Sequence, residues 1–459
     1  NLNFSRHLES TPVEILGNID LITFNEFADI LPYKLQDGTF ITRPLKPGET
    51  IKKYFCKAEE SLIDAHEFKL SSENNFCPRF AAGASMMLLN LLGLKSVSIK
   101  LFNPSKIDES ALNKIILSTK FLHHLKHLHI CVEDPNAVSD KTLEAITEAI
   151  NNKSSTLISL MVSFPNAIHV TNKRIKSFAD SLAQLTKLKK LEINLSESRI
   201  KDGVAALATS LHKLDRLRDL TLCFSMCSEL DHLALGQMIS TLIKLDLLEV
   251  LYLDISNTNI TNLELISLCN VIPELKNLKK LTLDLSNFKI SYIYIVSLLY
   301  GVSVIKNVKE LCLLLDKCEL LDYNTLDNNN CDNADEKTIT FAIDQAFKSY
   351  PDLHNLESLK FGLWEITNLG LLQFAKSFDH LPNLKKIDID AEQCLNITNH
   401  GVINFIKSVI TKSGLEAFTL DIRNCPQLTA NLIPEINQII SQENILKINI
   451  KHNIPFEIE

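Results

Sequence analysis

The sequence predicts an α/β fold, a right-handed solenoid of about 12 stacked strand–helix repeats of 28–32 residues. Three observations predict it. A short apolar string recurs at a nearly constant interval, each copy alternates apolar and polar residues as a half-buried strand does, and a helical pattern follows the clearer copies. A chain of 459 residues would otherwise suggest two to four domains.

The string LKKLEINL at 188–195 recurs as LRDLTLCF (217–224), LEVLYLDI (248–255), LKKLTLDL (278–285), VKELCLLL (308–315) and LESLKFGL (356–363). Weaker copies lie at 94–101, 125–132, 157–164, 384–391 and 415–422, with a fragment at 445–450. The second apolar anchor of each copy runs from Val97 to Ile448, at intervals of 31, 32, 31, 29, 31, 30, 30, 48, 28, 31 and 30. Helical patterns such as IKDGVAALATSL (200–211) and ITNLELISLCNVI (260–272) follow the strands. No unit could bury its apolar face alone, so neighbours must stack into one continuous core.

This pattern resembles the leucine-rich repeat family over residues 86–459. The period and IKDGVAALATSL are similar to the ribonuclease-inhibitor type, and CLNITNHGV (394–402) and CPQLTANL (425–432) to the cysteine-containing type. The resemblance implies a horseshoe with helices on its convex side and a concave sheet that binds a protein. The Asn ladder common after the strand in that family is not evident.

Residues 1–85 show no repeat. A helical pattern near Glu49–Phe68 and an apolar run at Ala81–Leu92 predict a mainly helical N-terminal cap over the end of the solenoid. TPVEILGNI at 11–19 resembles the opening of an F-box, without that motif's later Trp. It would make the protein a substrate receptor of a ubiquitin ligase, with residues near 11–35 docking the ligase scaffold. The 48-residue interval carries an insertion of about 18 residues within 316–337, DKCELLDYNTLDNNNCDNADEK, acidic and Asn-rich, which predicts a solvated loop.

Composition argues against several functions. The net charge of −8 gives no basic footprint for nucleic acid, and no run of 18 apolar residues predicts membrane insertion. Twelve glycines are few for a nucleotide-binding enzyme, and no phosphate-loop, nucleophile-elbow or zinc-protease motif occurs. HHLKHLH places four histidines at 123–129, but a strand pattern begins inside it, so His123 and His127 do not share a helix face for a metal. The expectation is a non-enzymatic scaffold with no cofactor. Eleven cysteines without a C-x-x-C pair suit a reducing cytoplasm. Eukaryote-like repeats in a Gly-poor, Asn/Lys/Ile-rich chain suggest a bacterial effector acting on a host protein in the host cytosol.

The alternating x residues of L-x-L-x-L project from the concave sheet. Their columns hold Glu192, Asp254, Asp284, Asp388, Asp390 and Asp421, with Tyr252 and Thr282 beside them and Trp364 just past a strand. Lys189, Lys190, Arg218, Lys279, Lys280, Lys385 and Lys386 gather just before the strands. The expected partner is a protein with a basic segment lying across the acidic trough, anchored by Tyr252 and Trp364.

Overall fold

The computed structural model describes residues 31–34, 40–43, 67–72, 93–101, 107–134, 136–259, 261–290, 292–305, 307–320, 351–363, 366–440 and 447–453, with scattered positions between 81 and 89. The chain forms two compact units, Asn1–Ala234 and Leu235–Glu459.

In the first unit, β1 (Leu31–Lys34) and β2 (Phe40–Arg43) pair antiparallel, and β2 pairs parallel with β3 (Glu67–Ser72). A parallel ladder continues through β4 (Ser96–Leu101), β5 (His127–Val132), β6 (Ser159–Ser163), β7 (Lys190–Asn194) and β8 (Asp219–Cys223). Helices α1 (Glu109–Ser118), α2 (Asp140–Ile150), α3 (Asn172–Leu182) and α4 (Gly203–Leu211) follow β4 to β7 in turn, and α5 (His232–Thr241) follows β8.

The second unit carries the parallel ladder of β9 (Val250–Asp254), β10 (Lys280–Asp284), β12 (Glu310–Leu314), β14 (Ser358–Gly362), β15 (Lys386–Asp390), β16 (Ala417–Asp421) and β17 (Lys447–Lys451). Two short strands, β11 (Lys289–Ile290) and β13 (Glu319–Leu320), pair apart from it. Its helices are α6 (Asn262–Val271), α7 (Tyr292–Val304), α8 (Asn368–Ser377), α9 (Asn399–Ile410) and α10 (Leu432–Ile440).

The anchors explain the register. Val97, Leu128, Leu160, Leu191 and Leu220 lie side by side in the first unit, as do Leu251, Leu281, Leu311, Leu359, Ile387 and Phe418 in the second. All eleven are fully or almost fully buried, and each contributes about 1.5–3 kcal/mol. A slip of one residue would turn them outward, which fixes the pairing. Helix starts are written locally. The Asp108, Ser139, Thr171 and Thr367 side chains accept first-turn amides, and Thr261 with Glu264 forms a capping box. Strand, turn and helix in this order, repeated with buried anchors in register, make the leucine-rich-repeat solenoid that the sequence predicts.

A recurring left-handed residue does close eight of the strands, at a position the sequence pattern does not mark. Asn166, Glu197, Met226, Asn257, Asn287, Lys317, Gln393 and Asn424 all have φ between 54° and 63°. Each lies three residues past the last outward-facing strand residue. This left-handed turn lets an amide reach the neighbouring repeat: Glu197 donates to Ser225 O (2.8 Å), Asn257 to Ser286 O (3.0 Å) and Gln393 to Arg423 O (2.9 Å). Asn tolerates that conformation best among residues with a Cβ. Directly after four of these residues come Cys227, Cys318, Cys394 and Cys425, whose thiols donate to Leu195 O, Leu285 O, Leu363 O and Ala391 O at 3.1–3.6 Å.

The described residues sharpen two boundaries. Those between 31 and 72 are strands, and β3 extends the ladder one repeat before Val97, with Phe68 paired to Val97. Of the window within which the insertion is expected, only the first five residues are described. Asp316–Leu320 form the regular turn, the buried Cys318 and β13. Residues 321–337 lie outside the described residues, as do the F-box-like stretch at 11–19 and most of the expected helix near Glu49–Phe68.

Candidate functional site

The face of each sheet opposite its buried anchors carries the expected columns. In the second unit the first column reads Tyr252, Thr282, Cys312, Lys360, Asp388, Thr419 and Asn449, and the second Asp254, Asp284, Leu314, Gly362, Asp390, Asp421 and Lys451, all in register. Seven of the nine expected binding residues therefore share this face. Glu192 lies in the first unit, between Met161 and Thr221. Burial pushes its carboxyl up from the ordinary value, with Lys190 opposing. Trp364 lies outside the described residues.

The second-column carboxylates have a local task. Asp254, Asp284, Asp390 and Asp421 each accept the amide two residues on, from Ser256 (3.1 Å), Ser286 (3.0 Å), Glu392 (3.1 Å) and Arg423 (3.3 Å). This Asx turn ends the strand and feeds the left-handed residue after it. Asn194 does the same for Ser196 at 3.0 Å with a neutral side chain. The turn needs an oxygen, not a charge.

The carboxylates differ in how well their charge is answered. Asp421 is 2% exposed. Burial works against its charge, but Arg423, at 2.8 Å, and Lys451, at 3.5 Å, hold its carboxyl below the ordinary value. Asp388 sits 3.6 Å from Lys360. Asp284 is half-buried, and its carboxyl is pushed up by burial and by Asp254 against the opposing bonds from Ser286. Asp316, unmarked by the column pattern, folds over Gly362: a Cβ there would stand 2.5 Å from its Oδ1. Burial, then Asp390 and Asp284, push the Asp316 carboxyl up to about 6, against Lys360 and Lys317. Asp284, Asp316 and Asp390 thus form the least compensated stretch of the face.

The basic edge is largely spent within the ladder. Lys190 pairs with Asp219 (2.8 Å), Lys279 with Glu249 (2.6 Å), Lys280 with Glu310 (2.8 Å) and Lys385 with Glu357 (3.0 Å), each partner on an adjacent repeat. Among the described residues, Asp390, Glu392 and Asp421 bring carboxylate oxygens close enough for a metal ion. The Arg423 guanidinium already engages Glu392 (3.0 Å) and Asp421, which fits an ion-pair network better than a metal centre. His123 and His124 lie in an exposed turn, while His127 and His129 stand on β5 in the first unit. No described helix is long and apolar enough to cross a membrane.

No protein-family model and no curated protein sequence matches the chain. Among solved structures, the crystal structure of a TLR13–ssRNA13 complex is 15% identical, covering 89% of this chain and 70% of that one with a TM-score of 0.31. A likeness at that level carries nothing about ligand or partner to this chain. The class is therefore defined by the repeating architecture itself, a leucine-rich-repeat solenoid with an acidic open face on its second unit.

Proposed function

We propose that the protein is a non-enzymatic binding scaffold whose second-unit face receives a basic segment of a partner protein, as a translocated effector would receive a host protein. The segment runs along Tyr252, Asp254, Thr282 and Asp284, over Asp316, toward Asp388 and Asp390. One observation carries this reading. Asn194 serves the strand-closing turn without charge, so the negative charge of Asp254, Asp284 and Asp390 exceeds what the turn requires, and Asp316 adds to it at a cost in self-repulsion. A cationic partner would relieve that repulsion, mainly raising the association rate, while Tyr252 supplies apolar contact. Asp421, buried between Arg423 and Lys451, belongs to the ladder's own ion pairs and borders the surface rather than forming part of it. No observation on the described residues favours the ubiquitin-ligase receptor.

Asparagine substitution tests the reading because it keeps the turn acceptors. The triple variant Asp284→Asn, Asp316→Asn, Asp390→Asn should fold and melt no lower than wild type. It should bind a labelled octalysine peptide at least about tenfold more weakly at low salt, on the order of 1.4 kcal/mol. Equal binding by both proteins at low and high salt would place the partner elsewhere.

A further inference from the structure

The first unit's open face has a different chemistry. On β4 to β6 it presents Ser98, Lys100, His127, His129, Ser159 and Ser163, with Lys126 just before β5. Ser98, Ser159 and Ser163 form a buried floor. His129 Nε2 lies 3.0 Å from Ser159 Oγ, and the His127 and His129 rings stand edge to face at 6.5 Å. Of the nearby carboxylates, Glu67 pairs with Lys69 (3.3 Å) and Asp219 with Lys190 (2.8 Å), and burial raises the Glu192 carboxyl from its ordinary value. Lys100 and Lys126 are exposed, and among the described residues no carboxylate pairs with either. Two exposed ammonium groups therefore stand beside a floor of hydroxyl and imidazole groups.

We infer that this face docks a phosphorylated peptide, with Lys100 and Lys126 answering the phosphate charge and His127, His129 and the serine floor supplying hydrogen bonds. A phosphate monoester brings three acceptor oxygens and up to two negative charges, which suits several donors spread over adjacent strands better than a carboxylate does. Single-stranded nucleic acid fits less well, because its bases need aromatic stacking platforms and Met161 occupies the next position in the His129 column. The charged groups facing the histidines are Lys126 and Glu67 for His127, and His127, Lys100, Lys190 and Glu67 for His129. Burial first and these cations second hold both imidazoles below their ordinary value, so they are neutral donors or acceptors near pH 7.5.

The 459-residue chain can be tested with an immobilised degenerate phosphoserine-peptide library, its unphosphorylated counterpart, oligouridine, and inorganic phosphate followed through the histidine ring resonances. The phosphorylated library should be retained and the unphosphorylated one not. Phosphate should shift the His127 and His129 signals. Lys100→Glu and Lys126→Glu, both at exposed positions, should each cut retention about tenfold without lowering the melting temperature. Equal retention of the unphosphorylated library, tighter retention of oligouridine, unmoved histidine signals or full retention by both Glu variants would overturn the inference.

Discussion

The two units run the same backbone program with different residues at the strand exit, and their surfaces diverge as a result. In the first unit the second column reads Lys100, Cys131, Ser163, Asn194 and Cys223; in the second it holds Asp254, Asp284, Asp390 and Asp421 among its seven positions. The buried anchors scarcely differ between them. A solenoid separates what folds it from what it displays, because alternate residues of one strand serve the two tasks independently. The comparison also divides the acidic column into a part the turn demands, an oxygen two residues before a free amide, and a part it does not, the charge.

The largest effect should come from breaking the shared part. Leu253 is fully buried between the repeats of the second unit, so Leu253→Asp should destabilise that unit by about 4 kcal/mol or more, read as an early or lost transition in thermal unfolding. A variant that melts with wild type would show that the anchors are not the core. Next is the contact peculiar to the second unit. Gly362→Ala places a Cβ against Asp316 Oδ1 and should cost about 1–3 kcal/mol. Adding Asp316→Gly should recover most of it. Additive losses in the double mutant would mean that the two residues do not meet.

The smallest effects are opposite pH slopes. Lys153, in the first unit, is 1% exposed and donates to Lys120 O (3.0 Å) and Leu122 O (2.6 Å), and burial brings its pKa down to about 8. Between pH 8 and its unfolded value near 10.5 the unfolded chain holds more protons, so this residue makes stability rise with pH there. Asp316 has a folded pKa of about 6 against 3.8 for the free side chain, so the folded chain holds more protons in that window and stability falls as pH rises through it. Denaturant titrations of Lys153→Met and Asp316→Asn should each flatten the slope in the matching window. A slope unchanged by substitution would remove that residue from the account.

The ladder was legible in the sequence because a buried face leaves a period-two trace wherever it recurs. Phe68-x-Leu70 escaped because its repeat lacks the leucine three positions earlier that announces LKKLEINL, and only pairing with Val97 exposes it. The turn ladder escaped because four of its eight residues are not Asn. Its signal was position, not identity. Asp254 and Asp284 drew notice as charges needing a partner, yet the Ser two residues after each, as after Asn194, already marked a turn. Asp316 escaped because the residues around it resemble the loop that follows. Its significance depends on an empty Cβ position 46 residues away, which no local pattern records.

The row of thiols behind the turns has a consequence for how the molecule could be watched. Cys227, Cys318, Cys394 and Cys425 each rest on a carbonyl of the preceding repeat, and burial pushes the Cys318 thiol up to about 12 and raises that of Cys425. A thiol held that far from ionisation is deaf to alkylating reagents while its repeat stays closed, and regains ordinary reactivity once the repeat opens. The chain therefore carries a chemical clock at four of its repeats, and timed alkylation read by mass spectrometry would tell which of them breathes first.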